Sequence, residues 1–161
     1  MSLRIVRADY HNPQHQQDLI YLLDQYARDP MGGGEGLKAS VKETLIDQLQ
    51  KRDFACTVLA YVDDQPAGIA NCFEGFSTFA AKPLINIHDL AVTTEFRGKG
   101  ISQALLQEVE NIAREKGCCK VTLEVLSGNQ TAINSYQKFG FRQYELDPEK
   151  GQAQFWEKKL A

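Results

Sequence analysis

The sequence lacks any apolar run long enough to span a membrane, and no basic segment followed by a hydrophobic stretch opens it, so neither a transmembrane helix nor a secretory leader is expected. Cysteine is sparse. Cys56, Cys72, Cys118 and Cys119 include no C-x-x-C spacing, and the region around the Cys118-Cys119 pair offers too few further ligands for a tetrahedral metal site. No metal is expected, and the thiols read as reduced, as in a cytoplasmic protein. No block of Lys or Arg is long enough to track a phosphodiester backbone, and 21 acidic against 18 basic residues leave a net charge of −3, so nucleic acid is not an expected partner. Repeats and low-complexity segments are absent too. What remains is a chain of 161 residues, 43% hydrophobic and 24% charged, which is the length and balance of one globular domain over residues 1–161.

The informative stretch runs from Asn86 to Leu106: an apolar strand ending in Leu90-Ala91-Val92, a charged turn, then Arg97-Gly98-Lys99-Gly100-Ile101-Ser102 opening a helix. Glycine permits a tight turn and close approach of a ligand, and the first N–H groups of a helix lack internal partners at the positive end of its dipole. A strand, glycine loop and helix in that order form a phosphate cradle. The dinucleotide fingerprint is incomplete, because Gln103 stands where its third glycine belongs, and no G-x-x-x-x-G-K-[ST] occurs.

Around that stretch, period-2 patterning predicts strands over 3–6, 54–62, 67–73, 84–92 and 120–126, with a closing pair over 141–146 and 154–160. Helical spacing predicts helices over 14–28, from Ser40 to about Leu49, from Gly100 to Lys116 and over 129–139. Ser40 and Glu43 have the spacing of a capping box. The strand, helix, strand passage from 84 to 126 predicts a right-handed crossover with its two strands parallel.

Two motifs carry a family resemblance. Arg97-x-x-Gly100-x-Ser102 matches [R/Q]-x-x-G-x-[G/A] except at its last position, and Asn129 is followed by Ala132, Tyr136, Gly140 and Phe141. In this order they resemble the acetyl-CoA-dependent N-acetyltransferases of the GNAT superfamily. The resemblance implies an α/β (α+β) fold: a mixed, mostly antiparallel, twisted sheet of six to seven strands with about four helices, strands four and five being parallel and splayed. It implies acetyl transfer from acetyl-CoA, as cosubstrate, to a primary amine by direct attack in a ternary complex. A non-catalytic acyl-CoA-binding regulatory module of the same fold is the alternative.

The resemblance also assigns residues. The backbone of Gly98, Lys99, Gly100, Ile101 and Ser102 would bind the pyrophosphate, with Arg97 and Lys99 adding positive charge. The main chain of Leu90, Ala91 and Val92 would pair with the pantetheine arm, and Asn129, Ala132 and Tyr136 complete the cofactor side. Tyr136 also matches the family's acid, which protonates the departing thiolate. The amine's proton needs an acceptor: His88 is the leading base, since imidazole titrates nearest to working pH, with Asp89 or a water chain as alternatives. Asn86, Glu35 and Glu74 are the expected substrate contacts, and Phe76 and Phe79 either line a pocket or cap the core. The acceptor is a small-molecule amine or a protein amine. No membrane partner is expected, and a homodimer is compatible with the pattern.

Overall fold

A computed structural model of the chain describes residues 1–144 and 146–160. Five strands stand side by side in chain order: β1 (Leu3–Arg7), β2 (Ala55–Val62), β3 (Gln65–Ser77), β4 (Lys82–Val92) and β5 (Val121–Leu123). The first four pair antiparallel, while β4 and β5 run parallel, as the expected crossover requires. Asp63 and Asp64 join β2 to β3 at φ 49° and 68°, the left-handed pair whose twist suits a two-residue hairpin.

Helices cover both faces. On one side lie α1 (Pro13–Arg28) and α2 (Ala39–Gln50); on the other lie α3 (Ile101–Glu115) and α4 (Gln130–Phe139). Asn12 starts α1 by accepting from the amides of Gln14 and His15 at 2.9 and 3.2 Å, with Pro13 as the first helical residue. The expected capping box of α2 is not formed. Lys38 holds the N-cap position with no side-chain cap, and Ser40 already lies inside the helix. The approach to α2 is fixed instead by Asp24 of α1, whose carboxylate accepts from the Leu37 amide at 2.8 Å.

Leu19 and Leu22 of α1 pack with Leu59 and Ile69, while Ile101, Leu105, Val109 and Ile112 of α3 pack with Val58, Ala70, Ile85 and Ile87 on the opposite face. Truncating a fully buried residue such as Leu105 to Ala costs about 2–5 kcal/mol. All four cysteines are free thiols.

Two departures shape everything that follows. Along β4 the Cα partners step from Asn71↔Asp89 to Cys72↔Ile87, so His88 is an extra residue and β4 is bulged there. Beyond the bulge, no described residue pairs with the outer side of β4: its pairing with β5 covers Ile85↔Val121, Asn86↔Thr122 and Ile87↔Leu123.

The expected closing strands are the second departure. The sheet has five strands, not six or seven, and among the described residues neither 141–144 nor 154–160 is paired as a strand; Glu145, within the first expected strand, lies outside the described residues. Phe141 packs onto the core, but Tyr144, Leu146, Phe155, Trp156 and Leu160 are 57–87% exposed. Alternating patterning marks a segment suited to a sheet without stating which chain supplies the partner edge.

Candidate active site

The donor end is built from backbone. Gly98 and Gly100 sit at φ 76° and 79°, and Gly100 is the N-cap of α3 with no side-chain cap among the described residues. The first amides of α3 are therefore offered outward at the positive end of the helix, the arrangement that holds a phosphate. Positive φ is what requires glycine, since a Cβ at either position would meet nothing within 4 Å. Ser102, where the resembling motif has Gly or Ala, bonds its hydroxyl to Ser135 Oγ at 2.9 Å, and Gln103 Nε2 donates to the Ser135 carbonyl, also at 2.9 Å. These bonds join the start of α3 to α4.

Arg97 and Lys99 flank the loop. Arg97 donates from Nε to the Val92 carbonyl at 3.1 Å and pairs through its other nitrogen with Asp29 at 3.0 Å, while the Lys99 ammonium lies 5.6 Å from the Phe96 ring centre. The Met31 amide and the Arg97 guanidinium hold the Asp29 carboxyl below its ordinary range, so the pair is ionic. A cleft of about 300 Å³ opens where the end of α1, the last residues of β4 and this loop converge, lined by Tyr26, Asp29, Val92, Thr93 and Arg97 among others. The Thr93 hydroxyl oxygen is buried there with no partner among the described residues. The open amides and the unpaired strand edge are an anion cradle and a main-chain edge of the kind an acyl-CoA would need.

The acceptor end is built from side chains. A bulge places two successive residues against one partner and re-aims them. His88 meets Phe73 edge-on at 5.7 Å, and Phe73 belongs to the core cluster beneath α1 and α2. Asp89 next to it is gripped by a relay across three strands: Tyr10 donates to Thr57, Thr57 to Asn71 Oδ1 at 2.7 Å, and Asn71 Nδ2 to the Asp89 carboxylate at 3.1 Å. The Thr57 and Asn71 links are buried, so each polar atom must have its partner, and the relay fixes the carboxylate in one orientation.

One phenol feels the charge of this carboxylate and a second feels the first. Burial pushes the Tyr26 hydroxyl above its ordinary value, with the charges of Asp89 and Asp29 adding to the shift. Burial pushes Tyr136 up to about 12, with Tyr26 adding to it. Tyr26 of α1 thus links Asp89 of β4 and Tyr136 of α4 into one group.

The other expected residues are engaged as follows. Asn86 donates to Thr122 Oγ1 at 2.9 Å and so pins the middle pair of the β4–β5 register. Asn129 caps α4 by accepting from the Ala132 amide at 3.2 Å. Glu74 pairs with Lys116 at the end of α3 and is not brought into the group, and Glu35 stands exposed in the loop before α2. Phe76 and Phe79 are exposed near the tip of the β3–β4 hairpin. Tyr26, Asn71 and Ser135 were not expected. Tyr26 sits on the core-facing stripe of α1, where periodicity reads it as packing. Asn71 did carry a signal, as a polar residue within the otherwise apolar run of β3.

Comparison with known proteins adds the family. The profile described as "Acetyltransferase (GNAT) family" matches residues 11–141. The chain is 28% identical over 127 residues to the thialysine N-epsilon-acetyltransferase of Caenorhabditis elegans, covering 77% of this chain and 75% of that protein. It is 36% identical over 75 residues to the streptothricin acetyltransferase of Streptomyces lavendulae, covering 47% of this chain and 40% of that one. Among solved structures it superposes on AAC(6')-Iy in complex with a bisubstrate analogue with a TM-score of 0.79 at 17% identity, covering 99% of this chain and 100% of that one. The last likeness establishes the fold.

Proposed function

Since the chain belongs to the acetyltransferase (GNAT) family, and so is an acetyl-CoA-dependent enzyme that acetylates an amine, we propose that its acceptor is the primary amine of a small cationic molecule, attacked directly in a ternary complex. The observation that carries this reading is the bulge at His88 and Asp89, which sets a fixed carboxylate beside an imidazole next to the unpaired edge of β4.

Acetyl-CoA supplies an activated acetyl thioester. The amine arrives charged, because with a pKa of about 10.4 only about one molecule in a thousand is neutral at pH 7. Asp89, held by Asn71, anchors the ammonium, and His88 takes its proton directly or through water. In this division one residue binds and the other accepts. The main-chain edge from His88 to Val92 offers donors to the developing oxyanion, an effect worth about 3 kcal/mol for one fixed donor. Tyr136, neutral far above working pH, gives its proton to the departing thiolate. Tyr26 lies beside Asp89 and narrows the space around the ammonium. The names of the thialysine and streptothricin enzymes support a small amine acceptor over a protein one.

The test is thiol release from acetyl-CoA against a panel of diamines, amino acids with side-chain amines, and aminoglycosides. Release with at least one small amine is expected, falling by about 100-fold in kcat/KM for Asp89→Asn, the loss expected when one partner of a desolvated charge pair is removed. CoA binding by titration with no thiol release from any amine would make the chain an acyl-CoA-binding module instead.

A further inference from the structure

Two thiols meet on the face of the sheet that α3 covers. Cys56 of β2 and Cys72 of β3 are direct partners in the antiparallel register, and opposed residues of such a pair point to the same face. Two rungs away the Glu74 amide donates to the Phe54 carbonyl at 2.8 Å. Hydrogen-bonded rungs recur at every second residue, so the cysteines share one, with Cα atoms about 5.5 Å apart. That separation lies inside the roughly 4.4–6.8 Å that a disulfide spans. The two sulfurs are unlike. Cys72 is 1% exposed, whereas Cys56 is half-buried on β2 beyond Arg7↔Val58, the last β1–β2 rung. Cys72 donates to Cys56 and holds its thiol below the ordinary value, with the charges of Lys116 and Arg7 adding to the effect, while the same contact and burial push Cys72 up. One thiol is reachable and readily ionised and the other waits behind it, the division between an attacked cysteine and the one that resolves it.

We propose that Cys56 and Cys72 are a reversible dithiol–disulfide pair, a site of oxidation built into the β2–β3 hairpin. The oxidant is a hydroperoxide, hydrogen peroxide being the simplest. The Cys56 thiolate attacks one peroxide oxygen and the O–O bond breaks, leaving Cys56 as a sulfenic acid; the departing hydroxide or alkoxide takes up the proton that the thiol gave. The Cys72 sulfur then attacks Cys56: an S–S bond forms, the S–O bond breaks, and water leaves with the Cys72 proton. Two electrons have passed from the sulfur pair to the peroxide, and a small dithiol returns them. The pair sits where its closure is felt. Thr57↔Asn71 is the adjoining rung, and the β3–β4 register slips between Asn71 and Cys72. Drawing the two sulfurs to about 2.05 Å shifts Thr57 and Asn71, which hold the Asp89 carboxylate. The oxidised chain therefore binds the amine less well, a consequence that rests on Asp89 anchoring the ammonium as proposed above.

Mass spectrometry of the unaltered full chain, treated with stoichiometric hydrogen peroxide and then alkylated under denaturing conditions, tests the pair. Two alkylated cysteines in place of the chain's four are expected, returning to four after reduction with dithiothreitol. Cleavage at Asp63 and Asp64 separates the two positions, and the fragments carrying Cys56 and Cys72 are expected to stay joined until reduced. Four alkylated cysteines after peroxide, or a disulfide that leaves Cys72 free, would overturn the proposal. For the oxidised chain the amine KM is expected to rise about 3–10-fold, the scale of one weakened hydrogen bond, with the KM for acetyl-CoA unchanged, and Cys56→Ser is expected to be insensitive to peroxide. A disulfide between Cys56 and Cys72 with an unchanged amine KM would overturn the link to Asp89. Failure to acetylate any amine would count against the acceptor reading alone, since the mass result decides the thiols.

Discussion

The glycine loop at Gly98–Gly100 and the bulge at His88–Asp89 belong to one continuous strand, turn and helix passage, yet they are made of different material. The loop offers main-chain amides, and its turn depends on two glycines at positive φ. At the bulge the side chains do the work, aimed by register and locked by a relay that reaches back through Asn71 and Thr57 to Tyr10, on three other segments of the chain. A backbone site tolerates much variation around it and binds what all its users share. A side-chain site can be changed one residue at a time, so acceptor choice can drift while the donor stays the same. Breaking each end separately should therefore give separable kinetic defects.

Tyr136→Phe gives the largest expected effect, because Tyr136 is the proposed proton donor to the departing thiolate. Loss of a positioned proton donor lowers kcat by about 10²–10⁴-fold with little change in either KM. The same residue sets a pH window. The fold keeps Tyr136 protonated up to about 12, against an ordinary value of 10.0. Between those values the native state binds more protons than the unfolded one, so the stability this residue contributes is fully present below pH 10 and is lost as pH rises through 12. Alkaline unfolding of Tyr136→Phe, followed by circular dichroism, is expected to begin at higher pH than that of the parent. A full turnover rate in the variant would remove the proposed acid.

Gly100→Val gives a smaller expected effect, confined to the donor end. A β-branched residue at φ 79° is strained, so the loop shifts and its amides lose their aim. The KM for acetyl-CoA is expected to rise about 10–30-fold, corresponding to roughly 1.4–2 kcal/mol, while the KM for the amine stays within about twofold. Equal rises in both constants would show that the two ends are not separable.

The same contrast explains what could be read in the residues. Glycine at positive φ and hairpin turns are local, and the glycine loop, α1, α3 and the succession of β1 to β5 along the chain were legible from nearby positions. The bulge was not, because an extra residue in one strand is visible only against its partner. Without it, strict alternation would send His88 and Asp89 to opposite faces of the sheet and force a choice between them. Tyr26 was hidden for a related reason: a phenol at the border of a core stripe is apolar by spacing and polar by its tip. The closing strands at 141–146 and 154–160 were read from a pattern that holds for the segment and is silent about its partner.

Asn71→Leu carries the smallest expected change in rate and probes the relay alone. Leucine nearly fills the amide's volume but gives nothing to Asp89 and accepts nothing from Thr57, whose hydroxyl is buried. Leaving such groups unsatisfied costs about 1–3 kcal/mol of stability, which for a domain of this size lowers Tm by several degrees. If the relay also aims the carboxylate, the amine KM rises about 3–10-fold while kcat and the KM for acetyl-CoA hold, and Asn71→Gln, which retains a donor, recovers part of the loss. A fall in Tm with all three kinetic constants unchanged would make the relay a core device only. Asp89 would then owe its aim to the bulge, and the acceptor end would depend on backbone as much as the donor end does.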